Sequence, residues 1–449
     1  MDTSRTTSSR RILAATGLLL ALLTACDAAQ PAPPPSIVVI VVDSLHAAHV
    51  SSHGYARPTT PNFDRFAADG VQFSRAYSQS SWTLPSTASL FTGLEQEQHA
   101  LRTFDDRLPA DVPTLAERLK SAGYRTRAVV QTPVLAARHG LARGFERYQL
   151  FDHSLESVER ALELARDHWE ESADRPLFLY LHLAPPHMPY QPPAPFAARF
   201  GAEHPEVSGS VADCRRIHRA KLAPDAPEVL SLVARYDEHI AFADECVGKL
   251  LADFSRDARG RAAWIVWTSD HGEAFLQHGS QGHNATVYDE MLHVPLAFGA
   301  LNTSLAPRRV NDVVSTLDVA PTLLALSGLA PLEGAGASLH STLLHGAALT
   351  DRALFFSSRY KADPAVLHCA VRRGDYKLAQ LGPAGPLELY DLRNDPGERV
   401  NLAAERAALA QGLASLLASK RRALRASEAH VALGTADREQ FAELGYAGD

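Results

Sequence analysis

Acidic and imidazole side chains stand at the ends of three short apolar runs in this sequence, namely Asp43, His182 with His187, and Asp270 with His271. Carboxylates and imidazoles together bind divalent metal ions, and an imidazole can also move protons near neutral pH. Each residue alone has an ordinary explanation, because an Asp after a strand often caps a helix. Their recurrence at several run ends predicts one site for metal-assisted or acid–base chemistry.

The apolar runs themselves predict the strands that would position this site. They are continuous and rich in β-branched residues, as in strands buried on both faces of a sheet, and they cover residues 36–42, 126–130, 177–183, 263–268 and 294–298. Helical patterns lie between them, at residues 62–68, 114–122, 155–172, 227–254 and 317–327. This alternation predicts an α/β fold with a mostly parallel sheet flanked by helices, in which ligands bind beyond the carboxyl ends of the strands.

The pattern changes in the last quarter of the chain. Short segments punctuated by Gly and Asp predict antiparallel strands at residues 353–359, 366–372, 376–380 and 388–392. A polar helix is predicted at residues 402–425. We therefore expect a catalytic domain at residues 36–345 and a small α+β subdomain with a tail at residues 346–449.

The N-terminal residues have the pattern of a targeting segment and are set aside from the fold. Arg10 and Arg11 precede an apolar run at residues 12–23, which is too short to span a membrane comfortably. The following Leu23-Thr24-Ala25-Cys26 resembles a bacterial lipobox. We predict a signal peptide at 1–25, a lipidated Cys26 and a Pro/Ala-rich tether at 26–35, with ordinary secretory cleavage as the alternative. Such a protein would be anchored to a membrane of the bacterial cell envelope, on the periplasmic or extracellular face.

Composition and charge exclude several other classes of protein. Of 449 residues, 46% are hydrophobic, and 44 Lys and Arg stand against 51 Asp and Glu for a net charge of −7. These values are typical of a globular chain and not of collagen, a coiled coil or a disordered protein. No nucleic-acid partner is expected, because nucleic-acid-binding proteins show a basic excess. An acidic chain must also bind any anionic substrate through local contacts, because its net charge offers no long-range attraction to anions.

Five segments, in order, carry a family resemblance: residues 37–43 (IVVIVVD), 54–62 (GYARPTTPN), 82–93 (WTLPSTASLFTG), 268–273 (TSDHGE) with 278–279 and 282–283, and 389–392 (LYDL) with 395–398 and 401–402. Together they resemble the sulfatase family of the alkaline phosphatase superfamily, over nearly the whole mature chain. The resemblance implies a large mixed, mostly parallel sheet flanked by helices and a small C-terminal subdomain with an antiparallel sheet. It also implies a metal-dependent ester hydrolase.

The segment that resembles the family's nucleophile motif departs from it. Active sulfatases carry a Cys, or sometimes a Ser, that begins a Cys-x-Pro-x-Arg core and is converted to formylglycine. This chain has Thr83 and Pro85 there, with Thr87 in place of the Arg. Threonine cannot be oxidised to that aldehyde, so no formylglycine is expected. Ser44 also replaces the family's second consecutive Asp, and residues 131–133 lack its Lys and His.

On this resemblance one divalent metal ion would be held by Asp43, Thr83, Asp270 and His271. An imidazole in place of an oxygen ligand favours Zn²⁺ or Mn²⁺, with Ca²⁺ as an alternative. His187 and His283 would contact the transferring group or protonate the leaving group, and His278 would join them in binding the substrate. Two alternatives stay open: a second metal held by His187 and His283, and a Thr83 that only caps the helix begun by Pro85.

A threonine nucleophile, which other superfamily members such as nucleotide pyrophosphatases place here, favours phosphate over sulfate esters. Water or an alcohol can attack a phosphorylated threonine at phosphorus, whereas a sulfated threonine lacks the second hydroxyl through which a formylglycine adduct collapses. We therefore expect a hydrolase or transferase acting on phosphate esters of small molecules, glycans or lipids. Sulfate-ester hydrolysis without formylglycine and a catalytically inactive metal- or glycan-binding lipoprotein are the alternatives.

Overall fold

The structure is a computed structural model that describes residues 34–258, 260–283, 286–359, 367–422 and 431–444. The predicted signal peptide, Cys26 and the tether before Pro34 lie outside these residues. None of the described helices combines the length and the apolar character needed to cross a bilayer.

An eight-stranded sheet carries most of the predicted site residues. In spatial order its strands are β10 (Arg308–Ser315), β2 (Val71–Tyr77), β9 (His293–Leu301), β6 (Ala263–Thr268), β1 (Ser36–Val42), β5 (Leu177–Leu183), β3 (Arg125–Val130) and β4 (Arg147–Leu150). Strand β9 runs antiparallel to both of its neighbours, and the other neighbouring pairs are parallel. The prediction of a large mixed, mostly parallel sheet is confirmed.

Helices cover both faces of this sheet. Alternate residues of β1 enter two different cores, with Ile37, Val39 and Val41 in one and Val38, Ile40 and Val42 in the other. This two-sided burial is why the strand shows a continuous apolar run. The α-helices lie at Pro61–Ala68, Thr83–Thr92, Gln96–His99, Leu115–Ser121, Leu155–Glu170, Val211–Ala220, Pro227–Asp257, Asp289–Leu292, Val319–Leu326, His340–His345, Ala407–Arg422 and Thr435–Glu443, with 3-10 turns at Ala47–His49, Ser51–His53, Pro133–Leu135, Ala137–His139 and Thr316–Asp318.

Three strands of the sheet are absent from the sequence prediction: β2, β4 and β10. Strand β4 (RYQL) lies at one edge and is mostly exposed, and β10 (RRVNDVVS) lies at the other edge. Strand β2 (VQFSRAY), next to that edge, is half-buried at two of its polar positions. Strands with a solvated side carry polar residues, so they lack the continuous apolar run that marks the central strands.

The C-terminal region forms a second, antiparallel sheet of β11 (Ala353–Arg359), β12 (Leu367–Arg373), β13 (Tyr376–Gln380) and β14 (Leu387–Asp391). The helix Ala407–Arg422 packs on this sheet through Ala410, Leu413 and Leu417. This helix begins later than the predicted residue 402, because Leu402 still extends beside β14 and its N–H donates to Leu389 O at 2.8 Å. The predicted antiparallel sheet is confirmed. A short hairpin of β7 (Ala274–Phe275) and β8 (Gln281–Gly282) stands apart from both sheets.

Candidate active site and metal centre

The strand order places the predicted acidic residues side by side. Strands β5 and β6 flank β1, and Val41 lies opposite His182 on one side and Thr268 on the other. Asp43 directly follows β1, and Asp270 comes two residues after Thr268. Both carboxylates therefore leave neighbouring strands at the same carboxyl edge of the sheet, where they are buried.

Asp43, Asp270 and His271 form a group suited to a metal ion. Their ligand atoms lie within 4.8 Å of one another, and His271 Nε2 is 3.5 Å from a carboxylate oxygen of each Asp. His271 Nδ1 donates to Gly272 O at 2.9 Å, so the lone pair on Nε2 faces the carboxylates. Asp270 Oδ2 is buried and has no hydrogen-bond partner among the described residues. Two carboxylates and an imidazole are a suitable set of ligands for a divalent cation, and the carboxylate oxygen without a hydrogen-bond partner is free to bind one.

The ionisation of this group shows that it attracts positive charge. Burial would raise the pKa of Asp43, but the charges of His187, His182 and His271 overcome burial and hold that pKa well below its usual range. Burial and the charge of Asp43 raise the pKa of Asp270. Burial would lower the pKa of His271, yet the two carboxylates raise it. The buried acids therefore draw a cation into the site, which a bound metal ion would supply.

Ser44, at the position of the family's second Asp, holds the carboxylates in place. It has a φ of 59°, in the left-handed region that few non-glycine residues adopt. Its hydroxyl donates to Asp43 Oδ1 at 2.8 Å and its N–H donates to Asp270 Oδ1 at 3.2 Å. The Tyr236 hydroxyl donates to Ser44 O at 2.6 Å, which fixes the turn from the opposite side.

Thr83 lies beside the imidazole of the candidate metal group. It is the first residue of the helix Thr83–Thr92 and is fully buried, and its Oγ1 is 3.1 Å from His271 Nε2. The helix is capped at Trp82, without a side-chain hydrogen bond from that residue. The alternative that Thr83 serves as the N-cap is therefore wrong. The N–H groups of the first helical turn add a local positive potential beside the Thr83 hydroxyl.

The loop before Thr83 is joined to the C-terminal sheet. Ser357 N–H, on β11, donates to Gln79 O at 3.2 Å. The Ser81 hydroxyl donates to the Ser358 hydroxyl at 2.7 Å. The segment that delivers Thr83 is thus held between the two sheets.

His187 and His283 stand next to His271 in a row of imidazoles whose rings pack at an angle to one another. The ring centroids of His271 and His283 are 4.5 Å apart, and those of His283 and His187 are 4.8 Å apart. His283 Nδ1 lies 3.1 Å from Glu273 Oε1, and burial raises the pKa of Glu273 to about 7. Burial lowers the pKa of His187 to about 4. The structure brings both predicted imidazoles to the candidate metal site.

His278 is the predicted site residue that the structure does not bring to this cluster. Its Nδ1 lies 2.8 Å from Glu290 Oε1, and its Nε2 donates to Glu398 O at 3.0 Å. The ring also stacks on Tyr288 with centroids 3.7 Å apart. Nδ1 thus joins the hairpin to the helix Asp289–Leu292 and Nε2 joins it to the C-terminal loop, which is a structural role and not the predicted contact with substrate.

His182 belongs to the cluster, although the predicted site set omits it. Its Nε2 lies 3.3 Å from Asp43 Oδ2 and 3.8 Å from Asp270 Oδ2. The Tyr180 hydroxyl lies 2.9 Å from its Nδ1 and fixes the ring. The signal was present in the sequence, since this imidazole ends a predicted central strand. Glu273, which orients His283, was also omitted, although it lies within the TSDHGE segment.

Comparisons with known proteins agree with this architecture. The family model described as Sulfatase matches residues 35–329, and the one described as N-sulphoglucosamine sulphohydrolase, C-terminal, matches residues 281–424. The chain is 24% identical over 416 residues to the Delta 4,5-hexuronate-2-O-sulfatase of Bacteroides thetaiotaomicron, covering 80% of this chain and 83% of that protein. It is 25% identical over 448 residues to the multifunctional alkaline phosphatase superfamily protein PehA of Trinickia caryophylli, covering 77% and 86%.

Solved structures share the fold. The phosphonate monoester hydrolase of Agrobacterium radiobacter superposes with a TM-score of 0.70 at 23% identity, over 89% of this chain and 100% of that one. A putative sulfatase from Bacteroides thetaiotaomicron also gives a TM-score of 0.70, at 24% identity, over 87% and 93%. The Sulfatase model matches more than half of this chain. The chain therefore belongs to the sulfatase family of the alkaline phosphatase superfamily, a family of ester hydrolases.

Proposed function

We propose that this protein is a metal-dependent hydrolase or transferase that acts on phosphate esters through Thr83. The observation that carries the proposal is the 3.1 Å separation between Thr83 Oγ1 and His271 Nε2, within the candidate metal group. An unaided hydroxyl is a poor nucleophile and needs a base or a metal to lower its pKa. Here the hydroxyl has a metal-binding group beside it and two further imidazoles nearby.

One divalent ion would be held by Asp43, Asp270, His271 and the Thr83 hydroxyl. When bound there, it lowers the pKa of that hydroxyl and polarises the ester. The imidazole in the donor set favours Zn²⁺ or Mn²⁺ over Ca²⁺. Ser44 and His182 keep the two carboxylates oriented towards this position.

The side chains account for the steps of the transfer. Thr83 would react as the alkoxide, after its hydroxyl has released its proton to solvent, and Oγ1 forms a bond to phosphorus while the bond from phosphorus to the leaving oxygen breaks. His187 Nδ1 donates to Met188 O at 2.7 Å, so Nε2 is the atom that gives a proton to the leaving oxygen. An anionic ester next to His187 raises the low pKa of this residue, so the ring becomes protonated for this step. Water or an alcohol then attacks phosphorus, its proton passes to His187 Nε2, and the bond to Thr83 breaks, which restores the alkoxide and the protonated His187.

Space for a leaving group exists beside His187. A cavity of about 150 Å³ is lined by His187 together with His153, Gln191 and His239. The ring of His153 packs against His187 with centroids 4.9 Å apart. A polar leaving group, such as a sugar or another small alcohol, would find hydrogen-bonding partners there.

Sulfate esters are the second candidate substrate. Curated relatives are named as sulfatases, whereas one of the structural neighbours is a phosphonate monoester hydrolase. Threonine favours the phosphoryl group, because a sulfated threonine would depend on slow attack at sulfur. Esters of small molecules and esters of glycans are both candidate substrates.

A side-by-side assay tests the nucleophile. The purified protein is supplied with Zn²⁺, Mn²⁺ or Ca²⁺ and given an aryl phosphate, an aryl phosphodiester and an aryl sulfate. Thr83→Val, which keeps the shape and removes the hydroxyl, should abolish phosphate turnover, and Thr83→Ser should retain part of it. Thr92→Val, at the far end of the same helix, is the matched control. Sulfate turnover that survives Thr83→Val would refute this mechanism, and tight metal binding without turnover of any ester would favour a binding protein.

We also propose that the protein is a lipid-anchored component of the bacterial cell envelope. The support is the apolar run at residues 12–23 followed by the small residues before Cys26. Cys26→Ser should release the protein from the membrane fraction, whereas Cys214→Ser, at a buried thiol, should not. Unchanged fractionation of Cys26→Ser would overturn the anchor.

A further inference from the structure

A cavity of about 1110 Å³ lies between the central sheet and the C-terminal sheet. Its wall comes from the 3-10 turns after β1, the ends of β2 and β9, the turn between β12 and β13, and the loop at residues 392–399. None of its described lining residues belongs to the candidate active site. It is large enough for several sugar units, since small-ligand pockets measure about 300–1,000 Å³.

The wall of this cavity is rich in arginine. Its guanidinium groups come from Arg75, Arg309, Arg372, Arg393 and Arg399. Four acidic residues also line it, and each already has a donor: Asp289 pairs with Lys377 at 2.7 Å, Glu290 with His278 at 2.8 Å and Asp375 with Arg75 at 2.7 Å, and Asp395 accepts the N–H groups of Arg399 and Val400 at 2.8 Å. Among these carboxylates, only that of Asp375 forms an ion pair with an arginine of the cavity wall.

Three of the five arginines have no acidic side chain beside their guanidinium groups in the described part of the chain. Arg309, Arg393 and Arg399 are exposed, and no carboxylate of the described residues forms an ion pair within 4.0 Å of them. This concentration of positive charge stands in a chain whose net charge is −7. Such a chain offers no general attraction to anions, so a local cluster of this kind sets where an anion binds.

Deeper in the wall, polar atoms lack partners. Arg372 is 2% exposed, its guanidinium lies 4.4 Å from the centroid of the Tyr77 ring, and its Nη1 has no hydrogen-bond partner among the described residues. His46 Nδ1 and His53 Nε2, in the same cavity wall, also have no hydrogen-bond partner among the described residues. Buried polar groups are usually satisfied, so three exceptions around one cavity are consistent with a ligand that supplies partners.

We propose that this cavity binds an oxyanion-bearing ligand, a sulfated or phosphorylated glycan segment or the free oxyanion, apart from the ester that reacts at Thr83. Guanidinium groups bind sulfate and phosphate oxygens through paired N–H donors. The three exposed arginines would contact successive anionic groups along a glycan. Arg372, with its unsatisfied Nη1, would contact the group that enters deepest.

Titration calorimetry on the full chain tests this site with dextran sulfate, neutral dextran and inorganic sulfate as probes. The triple variant Arg309→Gln, Arg393→Gln, Arg399→Gln should bind dextran sulfate at least tenfold more weakly than the wild type. The matched control is Arg147→Gln, Arg216→Gln, Arg256→Gln, which makes the same change in charge at exposed arginines outside the cavity. Added salt should weaken the wild-type interaction, because exposed charges are screened.

The outcomes separate this proposal from the proposed catalytic function. Thr83→Val should still bind dextran sulfate, and the cavity triple variant should keep kcat/KM for a small aryl ester within twofold. Arginine-dependent binding of inorganic sulfate would identify the free oxyanion as sufficient, and binding of the polymer alone would identify the glycan. Equal affinity of wild type and cavity triple variant, equal losses in both triple variants, or equal binding of neutral dextran would each overturn the proposal.

Discussion

Replacement of Asp270 by Asn separates carboxylate repulsion from metal binding at the candidate site. Carboxylate oxygens of Asp43 and Asp270 lie within 4.8 Å of each other. At an effective dielectric constant of about 20, two unit charges at that distance repel by about 3 kcal/mol. Asn keeps the Oδ1 that accepts from Ser44 N at 3.2 Å and from His271 N at 3.0 Å, so loss of the repulsion is the main change.

We expect the sign of the stability change to depend on the metal. In EDTA at pH about 9, Asp270→Asn should be more stable than the wild type by up to about 3 kcal/mol, a Tm rise of about 3 °C for a chain of this length. With Zn²⁺ or Mn²⁺ at about 100 times its Kd, the wild type gains about 2.7 kcal/mol. The variant has lost a ligand and should gain little. Differential scanning calorimetry with and without the ion measures both changes.

Asp237→Asn is the matched control for this experiment. Asp237 is also buried, but it is paired with Arg57 at 2.7 Å and with His49 at 2.7 Å. Its replacement leaves a cation without its partner and should destabilise the protein equally with and without metal. The reasoning is refuted if Asp270→Asn is less stable than the wild type in EDTA, or if both proteins gain the same stability from the ion.

Three further substitutions test separate parts of the structure. His182→Gln removes the imidazole 3.3 Å from a metal-site carboxylate and should weaken metal binding about 10- to 100-fold in titration calorimetry; unchanged affinity would contradict its orienting role. Burial lowers the pKa of His99 from 6.5 to about 3, so stability should fall as pH drops through the unfolded value, by about 2 kcal/mol from pH 7 to 5. His99→Gln should reduce the total loss by that amount in urea unfolding at both pH values, because other buried histidines contribute the remainder, whereas the exposed His218→Gln should leave the loss unchanged. Gly272→Ala would place a Cβ 2.2 Å from Glu290 O and should cost about 3 kcal/mol or more, so a Tm equal to that of the wild type would disprove the close approach.

The central strands and the acidic residues that follow them could be predicted from the sequence for the same reason. Strands β1, β5 and β6 are buried on both faces, so each is an uninterrupted apolar run with a sharp end. Residues after such an end meet at one edge of a parallel sheet. Asp43 and Asp270 were therefore identifiable before any coordinates.

His278 and His182 show where sequence reasoning fails. The partners of His278 are Glu290 and the backbone of Glu398, and the second lies 120 residues away in a loop whose path no local pattern reveals. His182 ends a predicted strand, but its distance to Asp43 depends on β1 and β5 being neighbours in that register. Which strands pair in parallel depends on residues far apart in the sequence. The spacing of residues along the chain therefore could not show which of these two imidazoles lies at the candidate metal site.

The hydrogen bonds between the nucleophile loop and β11 bear on how members of this family could be recombined. Gln79 and Ser81 are each joined to a residue of that strand. A chain shortened at residue 345 would deprive the Thr83 segment of its neighbour and would not be a minimal enzyme. Chimeras that exchange the C-terminal region between relatives would need to carry residues 78–82 with it, since hydrogen bonds join these two surfaces.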